Sequence, residues 1–240
     1  MIPKFVFLAK ERLIQKKWGG EWIPLIKGFK LERIGESIEF SNTSDNPSDL
    51  LIGGKVISAY EFFVKWKKEV LGVLAEEYED FPIIVKLIDA KNRTEDMKDF
   101  EKIWLCLSDG NVYIDEEIFE ASKFDAFLIP QNVKHSAENV RIFEVSSGFK
   151  TSEELRRANK KIESERIGVE VLEVVGTKSF ELKTFNLLFL LEGYAVLRSG
   201  SDVADLHKGY SCLIPANTSE FEVKSERAVL IRVYPLCQIL

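Results

Sequence analysis

Cysteine, histidine and methionine are scarce in this chain, and each scarcity removes a class of chemistry. The 240 residues hold three cysteines, Cys106, Cys212 and Cys237, together with two histidines and two methionines. Three scattered thiols make neither a disulfide framework nor a cysteine zinc site, so they read as small buried hydrophobes. No apolar run is long enough to span a bilayer and the N-terminus lacks a signal-peptide pattern, which makes the cytoplasm the expected location. Gly19-Gly20 and Gly53-Gly54 lack phosphate-loop spacing and a helix directly behind them, and read as turns. Net positive charge is absent as well. A formal charge of −6 argues against a nonspecific nucleic-acid or anionic-membrane surface, although a local basic pocket is compatible with it.

What is present is the composition of a packed globule. Hydrophobic residues make up 45% of the chain with 17 Phe, and the charged 30% is mixed in sign and spread along it, which excludes disorder. A chain of this length forms one large or two small domains and buries about three quarters of its unfolded surface. An internal repeat sets the architecture. Leu128-Ile129-Pro130-Gln131-Asn132 and Leu213-Ile214-Pro215-Ala216-Asn217 lie 85 residues apart, each following a lysine (Lys123, Lys208) and each leading to a β-rich stretch, Val140–Val145 and Ala228–Val233. Pro belongs at a strand end and Asn tolerates the turn that follows, so both copies read as barrel or jelly-roll walls. His135 follows the first Pro by five residues, where the second copy has Glu220.

Between these landmarks, Ile34–Ser41 alternates like a half-buried strand and 42–49 is loop. Residues 58–78 carry Phe62, Phe63, Trp66, Val70 and Leu74 at helical spacing behind a Ser58 cap, interrupted by Gly72, which predicts one helix or two short ones. Phe81–Ala90 is a buried strand containing Lys86. Strands near Ile103–Leu107 and Val112–Ile114 are expected to form a pair joined at Asp109-Gly110-Asn111. A capping-box start predicts a solvated helix over 151–166. The rest is strand, with Glu192-Gly193 as its expected hairpin turn.

The order of KKWGG (Lys16–Gly20), IGESIEFS (Ile34–Ser41), FPIIVKLIDA (Phe81–Ala90), a strand bearing Trp104, and the Pro130–His135 turn followed by Phe143-Glu144-Val145 resembles the type I phosphomannose isomerases. These are zinc-dependent double cupins that interconvert mannose 6-phosphate and fructose 6-phosphate. The resemblance implies an all-β double cupin, with a first cupin over 1–150 carrying the helical insertion at 58–78, a connecting helix over 151–166 and a second cupin over 167–240.

Departures from the family pattern shape the expected chemistry. Where the family has Gln-x-His-Pro, whose Gln and His bind the metal, this chain reads Met97-Lys98-Asp99-Phe100. His135 matches the family's last metal ligand. The family's glutamate before the Trp strand falls on Lys102 if Trp104 is aligned on Trp, or on Glu101 if the frame slips by one. Alternate strand residues face opposite ways, so only one of the two points inward, and the Trp104 alignment favours Lys102. The family's phosphate-side Arg has no counterpart in Ser146-Ser147-Gly148-Phe149-Lys150. A stable zinc site needs about three or four ligands. With His135 as the one clear nitrogen and Asp99, Glu101 or Glu144 as oxygen donors, less than one zinc per chain is expected, and no other cofactor.

Lys86 in an apolar strand must be paired or must face a polar cavity. One reading turns Lys86 and Lys91 to a sugar phosphate or enediolate, with Glu144 as acid/base; the other places Lys86 in an internal ion pair with Glu36, Glu39 or Glu144. Both stay open. Trp18 and Lys102 are candidate substrate-binding residues, although Trp18, Trp66 and Trp104 also suit a core. His135 and Lys86 are expected to share one cavity. The implied function is aldose–ketose isomerisation of a hexose phosphate, and the alternative is a metal-free cupin that binds a sugar phosphate or a protein partner without turnover.

Overall fold

The computed structural model describes residues 2–10, 12–29, 33–97, 100–149 and 154–237. They form two compact units interleaved along the chain. One comprises Met1–Lys10, Ser41–Phe81 and Arg166–Leu240; the other, Glu11–Phe40 and Pro82–Glu165. This division differs from the successive 1–150 and 167–240 expected from the sequence. The reason is strand pairing: Val6–Leu8 pairs with Ser211–Ile214 and with Asp49–Ile52, which ties the N-terminus to the C-terminal strands.

In the Glu11–Phe40/Pro82–Glu165 unit, four strands form the central path of an antiparallel sheet. Their order is Ile83–Ala90, Val140–Ser147, Lys102–Cys106, Asp125–Ile129. A second sheet of His135–Glu138, Gly110–Ile114 and Glu117–Ala121 belongs to the same unit. The core contains Ile88, Trp104, Phe127 and Ile142 from the first sheet and Val112, Ile114 and Ala137 from the second, the two-walled interior of a cupin barrel. Each of these buried large side chains contributes about 1.5–3 kcal/mol relative to exposure.

In the other unit, Ile167–Glu181, Glu220–Pro235, Asn186–Ser199 and Ser211–Ile214 follow in the same order as the four strands above. The repeat seen in the sequence is therefore a repeat of topology. Its core joins Leu172, Leu188, Leu190, Phe221 and Leu230. The helical segment belongs to this unit and not to the first cupin. It consists of Ala59–Lys65, Lys67–Leu71 and a 3-10 turn Gly72–Ala75, with Ser58 Oγ accepting from the Glu61 backbone N–H at 3.1 Å as the N-cap. No helix of the described residues is long and apolar enough to cross a membrane.

Three local expectations are corrected. Residues 154–166 hold no helix. Arg156–Asn159 is a strand on the edge of Asp125–Ile129, and Lys161–Glu163 is another, while 151–153 lie outside the described residues. Arg157 and Asn159 both bond the Asp125 carboxylate, at 2.6 and 3.3 Å, so cross-strand partners override local helix propensity. Lys102–Cys106 and Gly110–Ile114 do not pair with each other but lie in different sheets, the chain crossing between walls at Ser108–Asp109. Glu192-Gly193 is not a hairpin turn. It is an irregularity inside Asn186–Ser199, and the turn comes at Gly200-Ser201 before Asp202–His207. Burial pushes the Cys106 thiol up to about 12, which keeps it protonated and inert.

Gly193 has φ +85°, and a Cβ there would meet the Arg227 carbonyl oxygen at 2.2 Å. Gly200 has φ +59° with open space around it. Gly193→Ala is therefore expected to cost about 3 kcal/mol or more by urea denaturation, against about 1 kcal/mol for Gly200→Ala. Equal costs would mean that the strand irregularity is freely remodelled.

Candidate active site

The Glu11–Phe40/Pro82–Glu165 unit holds a charged cluster inside its barrel wall. Its centre is Glu144, on the face of Val140–Ser147 that also carries the core residue Ile142. The register places Lys86 directly opposite on one neighbouring strand and Trp104 opposite on the other. Lys86 Nζ lies 3.8 Å from Glu144 Oε1, Lys102 Nζ lies 3.4 Å from Oε2, and Trp104 Nε1 donates to Oε2 at 2.8 Å. Lys86 also meets Glu36 at 3.3 Å, and Glu36 meets Lys16 at 3.5 Å, so charge alternates along Lys16, Glu36, Lys86, Glu144 and Lys102. Alternation along Glu36–Ser41 explains why Glu36 and not Glu39 is the partner. Glu39 takes a bond from Lys27 at 2.7 Å in a separate buried pair.

Burial by itself raises the Glu144 pKa. The Lys102 and Lys86 ammonium groups, the Trp104 bond and His135 together outweigh it and hold the carboxyl below its ordinary 4.5. Glu144 is therefore ionised and tied. His135, buried, packs edge-on against Trp104 with ring centroids 5.0 Å apart. Its Nδ1 lies 2.8 Å from the Val133 carbonyl oxygen, which can only accept, so Nδ1 carries a proton and, whenever the ring is neutral, the lone pair falls on Nε2.

The residues singled out in the sequence divide accordingly. Lys86, Lys102, Glu144 and His135 gather here, with Lys86 the member that reaches solvent at 25% side-chain exposure. Glu101 is buried just before the strand, and it is Lys102, in the Trp104 register, whose ammonium reaches Glu144. Lys91 does not join them. Strand alternation turns Asp89 away from Lys86, and Lys91 lines a different cleft of about 270 Å³ with Trp22, Arg33, Asp89 and Arg141. Trp18 is buried in the barrel core against the set containing Ile88 and Trp104, a packing role. Asp99 lies outside the described residues. The donor bond from Trp104 to Glu144 went unforeseen, although the opposition of these two positions follows once the strand register is known.

Whether the described residues suit a zinc ion turns on the donors they bring together. No three His, Cys, Asp or Glu side chains among them gather as a metal-binding group. The Glu144 carboxylate is paired with two ammonium groups, and Lys102 Nζ also lies 3.8 Å from the sulfur of Met97, at the place of the family's Gln ligand. Ammonium groups around a carboxylate oppose a divalent cation and favour an anion.

Comparison with known proteins decides the family. The chain is 34% identical to a protein of Archaeoglobus fulgidus ascribed to mannosephosphate isomerase, over 98% of this chain and 99% of that one, with a TM-score of 0.89. The chain belongs to the mannose-6-phosphate isomerase family. Residues 159–235 also match the family described as mannose-6-phosphate isomerase, cupin domain. The mannose 6-phosphate isomerase from Bacillus subtilis is 15% identical over 96% of this chain and 99% of its own, with a TM-score of 0.76. The apo form of the Salmonella typhimurium enzyme is 12% identical over 98% and 100%, with a TM-score of 0.78. These two share the fold. Comparison with curated proteins gave no match.

Within this member of the mannose-6-phosphate isomerase family, removing the central charge leaves two ammonium groups facing each other. Glu144→Gln is expected to destabilise by about 3 kcal/mol at neutral pH. Because the folded pKa lies below the unfolded one, the stability contributed by Glu144 is present above the ordinary glutamate range and is lost as pH falls through and below it. The gap between the native protein and Glu144→Gln should then narrow below about pH 4 in urea titrations. A constant gap across that range would show that the charge is not what matters.

Proposed function

We propose that this chain is an aldose–ketose isomerase of a hexose phosphate that works without a bound metal. The observation that carries the reading is the placement of Lys86 and Lys102 on either side of Glu144, beside His135, inside a barrel of this family. Isomerisation moves a proton between adjacent carbons through a cis-enediol, and requires a proton acceptor and an electrophile for the developing oxyanion. The two ammonium groups serve as the electrophile. Glu144 is too firmly ionised to be a good base and serves to position them. His135 Nε2, as the lone-pair nitrogen, is the better proton acceptor.

A second reading has a specific observation behind it. The Lys102 side chain is only 3% exposed and both ammonium groups are already paired, which suits a protein that binds an anionic sugar phosphate and does not turn it over. Coupled assay of mannose 6-phosphate conversion to fructose 6-phosphate after chelator treatment separates the readings. The isomerase reading expects persisting turnover, a loss of a hundredfold or more in Lys102→Met and His135→Ala, and indifference to Glu101→Gln. Salt-sensitive binding without turnover supports the second reading, and neither binding nor turnover overturns both. Elemental analysis is expected to return well below one zinc per chain. A full equivalent that disappears in His135→Ala would replace both with a metal-dependent site.

A further inference from the structure

The topological repeat makes a comparison possible inside the chain. Aligning Val140–Val145 on Ala228–Val233 puts Arg232 at the place of Glu144. The cross-strand partners correspond too: Glu144 stands between Lys86 and Trp104, and Arg232 stands between Glu170 and Leu188. The second barrel thus carries the same central pair with its signs exchanged. Arg232 NH1 donates to Glu170 Oε1 at 2.9 Å and Nε donates to Asn186 Oδ1. The guanidinium carbon lies 4.9 Å from the Phe180 ring centroid and 4.6 Å from that of Tyr234.

Arg232 is therefore anchored by its first N–H groups and flanked by aromatic rings, so little rotamer freedom remains to be lost on binding. A guanidinium has five N–H donors, and the two bonds named leave further donors at the second NH group. Arg232 lines an open cleft. It measures about 620 Å³ and is walled by Lys183, Thr184, Asn186, Glu220, Arg232 and Tyr234. That volume is in the range of small-molecule sites.

We infer that this cleft is a second ligand site, for a polyhydroxylated carboxylate of the sugar-acid type. Arg232 takes the carboxylate in a two-point contact, and Asn186, Thr184 and Glu220 take hydroxyls. The charges decide the class. Arg232 and Lys183 line the cleft with Glu181 and Glu220, and Glu170 stands behind the guanidinium. Two cations against three carboxylates leave the surround at −1, which repels a phosphate dianion more strongly than a monoanion seated directly on the guanidinium. A neutral sugar meets the Arg232 N–H donors that Glu170 and Asn186 do not use with hydroxyls alone, a weaker bond than a carboxylate makes. The inference is independent of the chemistry proposed for the Glu144 cluster, since every residue it uses lies in the other unit.

Isothermal titration of the full chain with D-gluconate, D-glucose and glucose 6-phosphate tests it. Gluconate is expected to bind one per chain, at least tenfold more tightly than glucose. Arg232→Lys should weaken gluconate at least tenfold while leaving any hexose-phosphate binding unchanged, because the planar two-point contact is lost. Glu220→Ala, an exposed position, should weaken gluconate severalfold without altering the melting temperature, and decides the matter should Arg232→Lys fail to fold. No gluconate binding at millimolar concentration overturns the inference, as does equal affinity for glucose, glucose 6-phosphate binding that depends on Arg232, or indifference of gluconate to both substitutions.

Discussion

A buried carboxylate held between ammonium groups is the constraint on which the candidate site depends. Glu144 is inaccessible to water, and such a charge is tolerable only because Lys86, Lys102 and Trp104 reach it from the two adjoining strands. That requirement fixes the register of three strands at once, since slipping any of them by one residue turns its charged side chain to the other face. It also fixes the charges that the strands bring together. Two ammonium groups stand beside the Glu144 carboxylate, and the sheet sets their positions.

Much of the fold was legible because its signals are local. The Leu-Ile-Pro turns, the alternation of Ile34–Ser41 and the capped helix behind Ser58 each rest on a few adjacent residues, and the family resemblance ordered them. What was not legible is pairing. Nothing near Arg156–Asn159 announces a strand, since its partner Asp125 lies far away in sequence, and nothing in Asp109-Gly110-Asn111 shows that the flanking strands enter different sheets. Glu192-Gly193 has the composition of a turn, yet its positive φ serves an irregularity within a long strand.

The site was legible in its membership more than in its roles. Lys86, Lys102, Glu144 and His135 were all singled out in the sequence, and of the two readings of Lys86 the internal ion pair is the one seen, with Glu36 and Glu144. Lys91 was drawn in by the family resemblance, which expects a second lysine in the loop after the Lys86 strand, but past the strand's end at Ala90 it lines another cleft with Asp89 and Arg141. Arg232 was invisible for a different reason. Its importance appears only when the two barrels are superposed strand by strand, because a change of sign hides the correspondence from any comparison of residue types.

The interleaving of the two units bears on the order in which the chain can acquire structure as it is synthesised. All segments of one unit, Glu11–Phe40 and Pro82–Glu165, have emerged once residue 165 has left the ribosome. Val6–Leu8, made before any of them, has its partner Ser211–Ile214 more than two hundred residues later. During that interval an apolar strand and the helices of 59–75 are tethered to a folded neighbour without the strands that cover them. The first barrel is a finished scaffold waiting on the second. Elongation through the last third of the chain is therefore the period of greatest exposure to chaperones and to aggregation.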